Sequence, residues 1–309
     1  MKILYVGKFK KKTATEHIIS KAFTSIGCSV VKVDYTTGDV AKKIANACSP
    51  IAPDFTLFSK SLGVDARLIR GIPSRKAMWI FDGLHARDAK KIRGDGGPEI
   101  LEKAKLMDVV FTVAKCDMDT YEVAGCKKVV WLPQAVDESH NRHYPAGGRT
   151  EDAVFIGNGY GSYRTRFLSG VRALGSKVSI YGSLWDIASH KSVSMLEVSR
   201  VYSGAKCAIG MGEIESAKID QFSCRVWHIL GSRCVLLHKR LPSLESLFTE
   251  GEHLFFWENE RECHNLIQKL KADPETVERV ALNAYREVHG KHTYKHRVMA
   301  MLETMRGLQ

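Results

Sequence analysis

Arg225 opens the short apolar run Arg225-Val-Trp-His-Ile-Leu-Gly231, between a polar turn and the run Cys234-Val-Leu-Leu237. This pattern predicts a helix that stops at Gly231 and a buried strand after it. An arginine at a helix start aims a fixed cation and free N–H groups at one anion, so the segment predicts a pyrophosphate site. His228 follows three residues later, and its imidazole can donate or accept a hydrogen bond. Phe155-Ile-Gly-Asn-Gly-Tyr-Gly161 reads as a strand running into a glycine-rich turn, where glycines such as Gly157 let backbone approach phosphate. Arg164 and Arg166 come directly after it. Far upstream, Ala77-Met-Trp-Ile-Phe81 ends in Asp82-Gly83. A carboxylate at the carboxyl end of a buried strand can take a proton from an attacking hydroxyl, and it would equally suit the cap of a turn.

The elements around these residues alternate from the start. Strands are expected at 2–7, 29–35, 54–58, 76–81, 109–113 and 128–132, with helices at 15–27, 39–48, 64–71, 98–107 and 117–124. Residues 133–152 are polar, hold Pro133, Pro145, Gly147 and Gly148, and read as a linker. The alternation then resumes with strands at 153–157, 177–181, 206–210, 233–238 and 253–257. From Pro274 the chain reads as helical, with a break near Gly290. Strict βα alternation in short apolar strands predicts an α/β protein with two doubly wound, Rossmann-like parallel sheets. The expected domains are 1–150 and 151–290, with a C-terminal helical tail at 291–309 and ligands in a cleft at the strand carboxyl ends.

The 309 residues carry a net charge of +12, of which residues 1–150 hold +9. The excess includes Lys8, Lys10, Lys11 and Lys12 in one loop. A polyanion docking on the first half would use it, and so would mere solubility. The eight cysteines are scattered, with no C-x-x-C pair, and mostly lie in apolar segments, as reduced thiols in a cytoplasmic protein would. No run is long and apolar enough to cross a bilayer, so no membrane partner is expected. No histidine set has metal-ligand spacing, no G-x-S-x-G occurs, and Gly7-Lys-Phe-Lys-Lys stands where a dehydrogenase has its glycine fingerprint.

Several segments in order resemble the GT-B glycosyltransferases, in particular the phage DNA β-glucosyltransferases and the spore-maturation-type transferases (glycosyl transferases group 1). They are Phe155-Ile-Gly-Asn158, Tyr163-Arg-Thr-Arg-Phe-Leu168, Tyr181-Gly182, Arg225-Val-Trp227, Leu247-Phe-Thr-Glu-Gly-Glu252 and His292-Thr-Tyr-Lys-His-Arg297. The resemblance implies a nucleotide-sugar donor, UDP-glucose, as the ligand, and no tightly bound cofactor; some relatives use a divalent ion, for which no ligand cluster stands out. It implies Arg225 and Arg164 or Arg166 on the donor phosphates, and Gly157, Asn158 and Val193 in the donor site. Glu213, in Ile209-Gly-Met-Gly-Glu213, would bind sugar hydroxyls. His228 falls where the family has a ribose-binding glutamate, a departure that bears on donor identity. Asp82 matches the catalytic aspartate, and Glu16, after Thr13-Ala-Thr15, matches an acid that contacts the donor sugar. Glu16 would also suit an ordinary helix start.

The function so implied is inverting transfer of glucose onto a hydroxyl acceptor. The basic first half points to DNA, and the phage likeness to a 5-hydroxymethylpyrimidine flipped from the duplex in an infected cell's cytoplasm. Lys8, Lys10, Lys11, Lys12, Arg67, Arg70, Arg75, Arg87, Lys90, Lys91 and Arg93 are the expected DNA contacts. The alternatives are a glycan, lipid or small-molecule acceptor, or a nucleic-acid-binding protein with a degenerate transferase fold.

Overall fold

The computed structural model describes residues 1–11, 14–49, 52–84, 97–144, 147–159, 161–212 and 219–308. They form two compact units, one of Met1–Gln134 with Tyr294–Gln309, the other of Ala135–Thr293.

The first unit holds six strands: β1 (Lys2–Gly7), β2 (Ser29–Asp34), β3 (Phe55–Phe58), β4 (Arg75–Ile80), β5 (Val109–Thr112) and β6 (Val129–Trp131). Their order is β2-β1-β3-β4-β5-β6 and every pairing is parallel. Phe-Thr-Leu-Phe of β3 and Val-Val-Phe-Thr of β5 are buried at every position. Helices on both faces demand that composition, because neither face of such a strand meets water. After β2 the chain reverses its direction of travel and places β3 on the other side of β1. The carboxyl ends of β1 and β3 therefore form a topological switch point.

The second unit holds β7 (Glu151–Ile156), β8 (Val178–Tyr181), β9 (Ala205–Gly210), β10 (Val235–Lys239) and β11 (Leu254–Trp257). These are again all parallel, in the order β11-β10-β9-β7-β8. Its switch point lies between β7 and β9. The two sheets confirm the α/β, doubly wound architecture expected from the alternation.

The units divide elsewhere than at the boundaries expected at 150 and 290. Residues 135–144 are part of the second unit: Val136 is fully buried and its N–H donates to His292 O at 2.9 Å. The terminal helix Tyr294–Arg306 belongs to the first unit, where it packs on the helix Thr15–Ser25. Tyr294, Arg297, Val298, Met301, Leu302 and Met305 are its buried residues, an apolar stripe at helical spacing. Tyr294 meets Trp79 edge-on at 6.1 Å between ring centroids, and Arg297 Nε donates to Pro133 O at 2.8 Å. Burial pushes the Arg297 guanidinium down to about 10. The stripe is visible in the sequence, but periodicity does not name the sheet it will cover.

Candidate functional site

In the second unit, two arginines lace together the strand ends at the switch point. Arg225 begins the helix Arg225–Gly231. Its Nε donates to Ile156 O at 2.7 Å and its Nη1 to Met211 O at 2.8 Å, one carbonyl at the end of β7 and one just after β9. Arg164, in the helix Gly161–Ala173, does the same from the other side. Its Nη1 donates to Asn158 O at 2.8 Å and its Nε to Gly212 O at 3.1 Å. Both guanidinium groups lie over the ring of Phe155, at 4.6 Å for Arg225 and 5.7 Å for Arg164. That face of an aromatic ring favours a cation. The carbonyl oxygens that Arg225 binds orient its guanidinium without cancelling its charge.

The glycines make room for it. A Cβ on Gly157 would stand 2.5 Å from Arg225 Nη2, which has no hydrogen-bond partner among the described residues. Gly182 has φ 148°, and a Cβ there would meet Gly157 O at 2.1 Å. Asn158 Oδ1 accepts from Ser183 N at 3.2 Å and Oγ at 3.0 Å, and Trp185 Nε1 donates to Gly157 O at 3.0 Å. The turns after β7 and β8 are thus one interlocked piece, and Gly157, Asn158, Arg164 and Arg225 are brought together.

His228 sits one helical turn from Arg225. Asn141 Oδ1 accepts from the Asp137 amide at 3.0 Å, which leaves Nδ2 to donate to His228 Nδ1 at 2.7 Å. Nδ1 is then an acceptor and the ring proton sits on Nε2. Burial, with the Arg225 cation next, lowers its pKa to about 4. His238, buried on β10, is also lowered to about 4, again chiefly by burial. An unfolded chain takes up these protons near pH 6.5, whereas the folded protein does not until about pH 4. Folding stability is therefore fully present above about pH 6.5 and falls as the pH drops from there toward 4. Denaturant melts between pH 7.5 and 4.5 should show this loss, and His238→Gln should shrink it; stability that rises on acidification over that range would contradict the neutral histidines.

Other residues are placed differently. Arg166 is exposed, with its guanidinium 5.9 Å from the Tyr163 ring centroid. Val193 is half-buried and precedes the helix Met195–Ser203, whose Glu197 side chain accepts from the Ser194 amide at 2.8 Å. Glu213 lies outside the described residues, as do Lys12, Arg87, Lys90, Lys91 and Arg93.

In the first unit, Glu16 and Asp82 both stand at strand carboxyl ends. Glu16 is buried in the first turn of the helix Thr15–Ser25. Its Oε1 accepts from Ser59 Oγ at 3.2 Å and from the Lys8 amide at 3.3 Å. Tyr5 Oη lies 3.3 Å from Ser59 Oγ, and burial followed by the Glu16 charge raises its pKa well above the usual phenol value. Asp82, just past β4, pairs with Lys60 at 2.5 Å and keeps 39% of its side chain exposed. The seryl and lysyl partners after β3 were not foreseen. Nor were Asp137 and Asn141, which lie in the stretch read as linker.

The described basic residues do not share one surface end. Lys8, Lys10 and Lys11 are exposed after β1, at the carboxyl end. Arg67 is committed to Asp65 at 2.7 Å. Arg70 is exposed in the helix Ala66–Gly71. Arg75 begins β4, at the amino end, and donates to Met305 O at 2.6 Å. Among the described residues, no group of three or more His, Cys, Asp and Glu could hold a metal ion, and no helix is long and apolar enough to cross a membrane.

The family described as glycosyl transferase-like matches residues 164–303. Among curated proteins, none matches the sequence significantly. Among solved structures, a DNA-modifying β-glucosyltransferase is similar over the whole of both chains, at 13% identity and TM-score 0.68. Anabaena HepE, solved with UDP-glucose, is similar over the whole of both chains at 12% identity and TM-score 0.69. Sucrose-phosphate synthase from Thermosynechococcus elongatus is similar over 99% of this chain and 98% of its own, at 10% identity and TM-score 0.72. At such identities the likeness establishes the fold, and the sequence match includes Arg164 and Arg225. The chain has the GT-B fold, and its residues 164–303 are similar to the glycosyl transferase-like family.

Proposed function

We propose that this protein transfers glucose from UDP-glucose to a hydroxyl, with inversion at the anomeric carbon. The second unit binds the donor and the first supplies the base. The reading rests above all on Arg225 and Arg164 converging on the switch point of the second sheet. Asp82 accepts the acceptor's hydroxyl proton. The freed oxygen forms its bond to the anomeric carbon as the bond from that carbon to the diphosphate oxygen breaks. The bonding pair leaves with UDP, and its growing charge meets the two guanidinium groups. His228 Nε2–H is available to a ribose hydroxyl as a hydrogen-bond donor, where a glutamate would accept.

The acceptor we infer is a 5-hydroxymethylpyrimidine of DNA, turned out of the duplex in the cytoplasm of an infected cell. It is supported by the +9 charge of residues 1–150, by Lys8, Lys10 and Lys11 on the end of the sheet that bears Asp82, and by the likeness to a DNA-modifying enzyme. A small-molecule or glycan acceptor is the second reading. It is favoured by Arg67 being committed to Asp65 and Arg75 lying at the far end of its sheet.

Mass spectrometry of nucleosides after incubation with hydroxymethylpyrimidine DNA and a panel of nucleotide sugars tests both. A hexose added to the modified base from UDP-glucose is expected. Donor turnover on other acceptors with unchanged DNA would move the assignment to the second reading. No consumption of any nucleotide sugar would overturn both.

A further inference from the structure

The turn that follows β3, Ser59-Lys-Ser-Leu-Gly63, is fastened at several points. Ser59 Oγ donates to Glu16. Ser61 is fully buried and holds φ 50°, a left-handed conformation that costs a non-glycine residue free energy. Lys103, itself only 4% exposed, donates to Ser61 O and to Glu99. Glu99 Oε1 in turn accepts the Gly63 amide at 2.5 Å. Burying a lysine and straining a serine are unfavourable unless the surrounding bonds over-determine the geometry, as they do here.

The turn carries one charged side chain, Lys60. Phe58 pairs with Met78, so Lys60 leaves the sheet about level with the end of β4. Its ammonium meets Asp82 Oδ2 at 2.5 Å, and its side chain is 17% exposed against 39% for the aspartate. The cation is thus the more enclosed partner, with the carboxylate on the solvent side of it.

We propose that Lys60 is a positioning residue that fixes the Asp82 carboxylate for proton abstraction, a role that rests on Asp82 being the base. One carboxylate oxygen is anchored by the ammonium, which restricts the rotation of the group that is to meet the acceptor hydroxyl. A charge-assisted bond from a preset turn supplies the orientation that a lone exposed aspartate lacks.

The test is a variant series assayed for transfer, with UDP binding read by calorimetry. Lys60→Met should lower turnover at saturating substrates by about 30-fold and leave the UDP dissociation constant within about two-fold. Lys60→Arg, which keeps the charge, should recover most of the loss. In an Asp82→Asn background, Lys60→Met should cost nothing further, because its effect passes through the carboxylate. A role in folding alone would instead lower both backgrounds alike and would not spare UDP binding. If Lys60→Met fails to fold, Lys60→Gln takes its place in the same cycle. Near-normal turnover in Lys60→Met, or an equal loss in the Asp82→Asn background, overturns the proposal. If Asp82→Asn itself keeps wild-type turnover, it is the assignment of the base that falls, a result separable from the first.

Discussion

Asp82→Asn should bind UDP-glucose about as tightly as the parent protein and turn over about a thousand-fold more slowly, the scale at which a general base contributes. The substitution keeps the size and hydrogen-bonding reach of the side chain and removes the lone function that matters, acceptance of a proton. Asp82 is well placed to show a clean effect. It lies past the end of β4 in the first unit, whereas the arginines proposed to hold the donor belong to the second. It is also substantially exposed, so losing its ion pair with Lys60 should cost little stability. Single-turnover transfer and calorimetric UDP-glucose binding, run side by side, read the two halves of the expectation. Transfer within ten-fold of the parent would remove Asp82 from the mechanism, and lost donor binding with intact folding would make it a binding residue.

Arg225→Ala should be the most damaging change in the second unit. Losing an electrostatic contact aimed at a developing negative charge costs on the order of a hundred- to a thousand-fold in rate. Here the ground state should suffer as well, because the same guanidinium is proposed to meet the diphosphate before and during bond cleavage. UDP binding and turnover should both fall. The structure adds a second cost: Ile156 O and Met211 O would lose the donor that spans them, at about 1 kcal/mol for each bond. Arg225→Lys separates the effects. It keeps the charge, but a single ammonium cannot reproduce the planar fork that grips both carbonyls, so it should regain only part of the activity. Thermal melting of each variant shows how much of any loss is stability. Normal UDP affinity in a folded Arg225→Ala protein would take the diphosphate away from this site.

Much of this was legible before any coordinate. Val-Val-Phe-Thr of β5 and Val-Leu-Leu of β10 are apolar on both faces, and such strands alternating with helices have few ways to pack. Arg225 announced itself because a cation at the start of an apolar helix wants an anion. Neither the packing of the tail nor that of the linker is legible in the sequence. Residues 133–152 are polar, and polarity reads as solvent exposure. Yet Asp137 and Asn141 are buried because their polar atoms are satisfied by Ser139, His140 and His228. The helix Tyr294–Arg306 shows a clear apolar stripe, but only folding brings Met305 against Arg75.

The chain by itself determined its strands and its two parallel sheets, since periodicity and local chemistry are written in neighbouring positions. Which groups touch was decided by tertiary structure. Lys60 reaches Asp82 only because β3 and β4 lie side by side, and Arg225 spans β7 and β9 only because the strand order reverses between them. Contacts across a sheet depend on strand order and register, and these come from how the whole core closes.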